Sequence, residues 1–139
     1  MFNYNEFATK SAAVKMQCKY SVFALLLASL SAVPAGAADA AAGAKIYKNA
    51  CAKCHSVDKP MASKKAPSLL GIMGRSSARI SGYKYSQAMR RANLTWTTEK
   101  LDSFLIDPKA VVPDNKMKFK GMAKAEDRAD LMEFLQLQQ

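Results

Sequence analysis

Apolar residues in this chain recur at helical spacing in three places. From Asp39 to about Ala50, Gly43, Ile46, Tyr47 and Ala50 fall on one face, with Asp39 suited to the N-cap. From about Lys124 to Gln138, Leu131, Phe134, Leu135 and Gln138 follow i, i+3, i+4, i+7, and Glu126 and Asp127 suit the positive end of that helix. A third helix is predicted from about Thr98 to Asp107: Thr97 caps it, Leu101, Phe104 and Leu105 form its buried stripe, and Pro108 ends it. Gly43 lowers helix propensity, so its place in the first helix predicts close approach of another element. The first and last helices are expected to cross there, with Tyr47 packed near Phe134.

The intervening stretch from Lys59 to Leu94 does not alternate like a strand. It carries Pro60, Pro67, Gly71, Gly74 and Gly82, with one short helical turn predicted around Gln87 to Arg91. An all-α domain with such long loops is unusual unless the loops wrap something. Cys51-Ala52-Lys53-Cys54-His55 supplies a candidate, because C-x-x-C-H is the pattern that attaches a c-type haem. Cysteines at i and i+3 of a helical turn share a face and reach the vinyl groups along one side of a porphyrin, and His55 supplies an axial nitrogen. A structural zinc site takes two cysteine pairs, or one pair with two histidines, whereas this chain has three cysteines and one histidine. A thioredoxin-like pair should follow a strand, and no strand pattern precedes Cys51. Among the methionines, Met117 stands apart: it comes after Pro113 and Asn115 in a loop beyond the third helix, far enough along the chain to fold over the opposite haem face.

Composition adds compartment and charge. Lys10, Lys15 and Lys19 precede the uncharged stretch Ser21 to Ala32 and the small residues Pro34-Ala35-Gly36-Ala37, the layout of a secretory leader. Residues 1–37 are therefore expected to be a signal peptide cleaved after Ala37, leaving a domain over 38–139 in the periplasm. Left uncleaved, the leader would serve as a membrane anchor, although its apolar run is short of the roughly 20 residues a spanning helix needs. Met16 begins a more usual leader, so translation from there is an alternative. Residues 38–139 hold 18 Lys plus Arg against 10 Asp plus Glu, a net charge of +8. That excess favours acidic protein partners; one Trp and scattered Tyr show no stacking pattern, so nucleic acid is not expected.

The chain resembles the class I cytochromes c, in particular the mitochondrial-like bacterial cytochromes c, from about Gly43 through Leu135. The carriers are Gly43-x-x-x-Tyr47, the C-x-x-C-H motif, Ala66-Pro67-Ser68-Leu69-x-Gly71, Gly74-Arg75, Gly82-Tyr83-x-Tyr85, Leu94-Thr95-Trp96, Asp107-Pro108-Lys109, Pro113-x-x-Lys116-Met117-x-Phe119-x-Gly121 and Asp130-Leu131-x-x-Phe134-Leu135. The resemblance implies one haem c bound covalently through Cys51 and Cys54, with His55 and Met117 as axial ligands and loops wrapped around it. It implies that the Pro67 carbonyl accepts the free imidazole N–H of His55. It also implies that Arg75, Tyr85 and Trp96 surround the haem propionates and that the Asn115 amide takes the place of a loop hydroxyl there. Leu69, Ile72, Leu94, Leu101, Leu105, Phe119, Leu131 and Leu135 would line the haem. Phe104 and Met89 depart from the mitochondrial pattern of a tyrosine and an asparagine, which predicts a weakened polar network on the Met side.

The implied function is a monomeric one-electron carrier, not an enzyme, shuttling between respiratory or photosynthetic complexes. Its partners would be acidic surfaces of a quinol-oxidising complex as donor and of a terminal oxidase, peroxidase or photosynthetic reaction centre as acceptor. Lys64, Lys109, Lys116 and Lys124 match docking positions of the family, with Lys53, Lys118 and Lys120 adding charge. The alternatives are an electron-input subunit of a larger periplasmic oxidoreductase and a haem enzyme or sensor with a labile sixth ligand.

Overall fold

The first helix begins where its cap dictates. The Asp39 carboxylate accepts the Ala41 N–H at 2.7 Å, and α1 runs over Ala40–Ile46. The computed structural model describes residues 36–60 and 65–139, all of which belong to one compact unit. The expected leader, up to residue 35, lies outside the described residues.

Beyond Ile46 the helix widens into a π turn over Tyr47–Cys51, closed by the Ala52 N–H on the Tyr47 carbonyl at 2.9 Å. The extra residue per turn rotates the positions after it, so Ala50 is exposed on a cavity wall instead of extending the face of Gly43 and Tyr47. Three further elements form where the sequence predicts them. Helix α2, Gln87–Arg91, is capped by Ser86, and α3, Thr98–Ile106, is capped by Thr97 and buries Leu101, Phe104 and Leu105. Pro108 stops α3 as expected and also begins a short α4, Pro108–Val111, because the Asp107 carboxylate accepts from both Lys109 N and Ala110 N. Helix α5 covers Ala125–Gln136 with Glu126 and Asp127 in its first turn.

Helices α1 and α5 cross at Gly43, where a Cβ would stand 1.9 Å from the Asp130 carbonyl oxygen. The Tyr47 and Phe134 rings meet there with centroids 5.3 Å apart, and Asp130 accepts the Asp39 N–H at 2.7 Å. Leu131 and Leu135 of α5 join Leu101, Phe104 and Leu105 of α3, with Ile72, Trp96, Val112 and Met132, in one buried core. The described residues contain no strand, only a single bridge between Ser76 and Thr95. Among them no helix is long and apolar enough to cross a membrane.

Candidate functional site

A cavity of about 500 Å³ opens between the π turn, the loops after it and the inner faces of α3 and α5. Its wall is mostly apolar, with Leu69, Ile72, Leu101, Leu105, Phe119, Leu131 and Leu135 on it. Leu94 is not on that wall; its backbone N–H and carbonyl are bonded to Ser77 instead. Cys51, Cys54, His55, Pro67, Arg75, Tyr85, Trp96, Asn115, Met117 and Phe119 all border the cavity.

On one side, the turn after Cys51 is closed by Cys54 N and His55 N, which both donate to the Cys51 carbonyl at 3.0 and 2.9 Å. Nδ1 of His55 lies 2.7 Å from the Pro67 carbonyl oxygen. A carbonyl only accepts, so Nδ1 carries the hydrogen and Nε2 keeps the lone pair in the neutral ring. Burial lowers the imidazole pKa below its ordinary value, partly opposed by the Pro67 bond, so the ligand form is the favoured one. Burial also pushes the Cys51 thiol up to about 11, with Cys54 adding to the shift, which makes a thiolate nucleophile at neutral pH unfavourable.

Two interactions around this turn carry no sequence signal of their own. The Tyr47 hydroxyl donates to the His55 carbonyl at 2.8 Å, so a residue expected only to pack also fixes the backbone of the motif. Ser68 is fully buried; its hydroxyl donates to the Ser56 carbonyl and accepts the Leu70 N–H, which ties the Pro67 loop to the segment after His55.

Arg75 donates to the carbonyls of Leu70 at 2.6 Å and Ser68 at 2.8 Å. A guanidinium has five N–H groups, so donors remain for a carboxylate in the cavity. Tyr85 stands by it, its ring set edge-on to Tyr83 at 4.8 Å, and Tyr83, quoted from the sequence only as part of the Gly82-Tyr83-x-Tyr85 pattern, joins the wall. Burial raises the Tyr85 phenol pKa, keeping it a protonated donor. Trp96 is buried, edge-on to Phe104 at 5.0 Å.

Asn115 is fastened within its own loop. Its two amide hydrogens are donated to the Pro108 and Val112 carbonyls at 2.7 and 2.8 Å, and its Oδ1 accepts the Met117 N–H at 2.9 Å. With both hydrogens and the oxygen engaged, the amide shapes the Met117 loop. Met117 itself is half-buried on the cavity wall.

An apolar cavity with a neutral imidazole, a thioether, two cysteines a helical turn apart and a guanidinium at its border fits a covalently held haem c. Comparison with known proteins agrees. The cytochrome c family model matches residues 40–138. Cytochrome c 2.1 of Caenorhabditis elegans is 41% identical over 109 residues, covering 78% of this chain and 96% of that protein. Cytochrome c of Guizotia abyssinica is 43% identical over 108 residues, with the same shares. Cytochrome c of Chlamydomonas reinhardtii is 41% identical over 109 residues, 78% of this chain and 96% of its own. The cytochrome c family carries electrons and holds haem c covalently through two cysteines. On its motif, its helical fold and this similarity, the chain belongs to the cytochrome c family.

Proposed function

We propose that this protein is an exported, periplasmic one-electron carrier, with haem c joined to Cys51 and Cys54 and bound axially by His55 and Met117. The observation that carries the reading is the His55–Pro67 hydrogen bond, which fixes the imidazole with Nε2 as its ligand nitrogen, on the same cavity that Met117 borders. Bound haem c supplies an iron that alternates between ferrous and ferric. The chain holds it with two persistent ligands and a wall of packed apolar side chains, so little rearranges on transfer. Lys53, Lys109, Lys116, Lys118, Lys120 and Lys124 are exposed and would steer acidic surfaces of membrane redox complexes to the haem edge; Lys64 lies outside the described residues. The leader pattern supports export. A quinol-oxidising complex is the donor, and a terminal oxidase, peroxidase or photosynthetic reaction centre is the acceptor.

Three measurements test this. Voltammetry should give a reversible one-electron couple. Reduction by an acidic partner complex should slow steeply as salt shortens the Debye length. Ferrous protein should resist carbon monoxide. Rapid carbon monoxide binding would indicate an enzyme or sensor with an open sixth site, and copurification in a stable complex would indicate a dedicated subunit.

A further inference from the structure

From Lys116 to Gly121 the chain passes the cavity as a strap. Among the described residues its only main-chain hydrogen bond is that of Met117 N to Asn115 Oδ1. With no backbone bond between Lys118 and Gly121, the strap takes its position from its ends, from the Lys116 side chain on the Lys84 carbonyl at 2.6 Å, and from Met117 and Phe119 packed against the core. The upstream end is Asn115, fastened to α4 and the turn after it.

The downstream end is fastened by three groups. Met122 N donates to the Leu105 carbonyl at 2.8 Å. Gly121 lies against the end of α3, where a Cβ would stand 2.0 Å from the Ile106 carbonyl oxygen. Arg128 of α5 then donates through Nη1 to the carbonyls of Met122 and Ala123 at 2.9 and 2.8 Å, while its Nε donates to Asp102 of α3 at 2.7 Å. Arg128 is only 7% exposed, yet it is absent from the cavity wall, so any influence on the site passes through the strap. The Asp102 carboxylate orients the guanidinium so that Nη1 meets both carbonyls.

We propose that Arg128, locked by Asp102, is a positioning residue that anchors the strap and so keeps the Met117 sulfur in place as a ligand. This rests on the reading of Met117 as the axial thioether. Loss of the anchor lets the strap lift without unfolding the helices, and exogenous ligands then compete better for the sixth position.

The test titrates ferric holoprotein with imidazole and follows the sulfur-to-iron charge-transfer band, alongside urea unfolding by far-ultraviolet circular dichroism. D102N, R128K and R128M are compared with F134L, which loosens the Tyr47 contact between α1 and α5 without touching the strap. R128K and R128M should raise imidazole affinity about tenfold, the worth of a lost charge-assisted hydrogen bond, and D102N should raise it by less. F134L should lower the urea midpoint with affinity unchanged. If R128M fails to fold, D102N and R128K decide. Affinities within about twofold of wild type in both, or an equal rise in F134L, overturn the proposal while leaving Met117 as ligand. A wild-type protein with no charge-transfer band overturns both together.

Discussion

Gly43 and Asp130 are in backbone contact across the α1–α5 crossing: a Cβ on Gly43 would lie 1.9 Å from the Asp130 carbonyl oxygen and 2.8 Å from the Phe134 Cβ. The oxygen belongs to the helix backbone and cannot rotate away. Gly43→Ala should therefore cost at least about 3 kcal/mol, at the upper end of overpacking. A fall in the urea midpoint at constant m checks this, and an unchanged midpoint would mean the two helices separate easily.

Asn115→Ala should be as damaging from a loop position. It strands the Met117 N–H and leaves the Pro108 and Val112 carbonyls with one backbone hydrogen bond each. Stability should fall by about 3 kcal/mol, and the charge-transfer band of the ferric protein should weaken well before global unfolding. A band that persists to the unfolding midpoint would place the support of Met117 elsewhere.

The features legible in the sequence were those that depend on neighbouring residues. Asp39 and Thr97 cap their helices through hydrogen bonds two and three residues long, so their types announce them. Gly43 was legible because a glycine inside an amphipathic face has few other uses. The π turn at Tyr47–Cys51 was not legible, since a shift of one hydrogen bond leaves no compositional mark. The start of α4 was hidden because Pro108 reads first as a stop, and only the double acceptance by Asp107 makes it a beginning. The Asp102–Arg128 pair joins polar positions 26 residues apart on two helices, where each alone resembles a solvated charge. The bonds that Asn115 makes to Pro108 and Val112 are not legible, because they depend on how α4 turns.

Phe104→Tyr would put a hydroxyl into the apolar wall beside Trp96. If the Met side lacks hydrogen-bonding groups as inferred, the added donor should move the reduction potential by about 40 mV, one hydrogen bond's worth for a one-electron couple. It should also change the ease of Met117 displacement. No change in either would count against a weakened polar network there.

Acid should destabilise the protein through His55. Burial depresses its folded pKa, so the unfolded chain takes up a proton near pH 6.5 that the folded chain takes up only at lower pH. Its contribution is therefore fully present above about pH 6.5 and is lost as pH falls from there through the folded value. Iron ligation at Nε2, as proposed, would compete with the same proton and deepen the trend. Urea midpoints measured from neutral pH down to about pH 5, above the carboxylate range, should decline, whereas a rising midpoint would contradict the burial of a neutral imidazole.

The most direct test of a haem stitched into this fold is the intact mass of the exported protein, taken with its visible spectrum, oxidised and reduced. The expected result is a chain beginning at Ala38, carrying one haem that survives denaturation, with a sulfur-to-iron band in the ferric form. A colourless but folded protein, with Cys51 and Cys54 both open to alkylation, would contradict it.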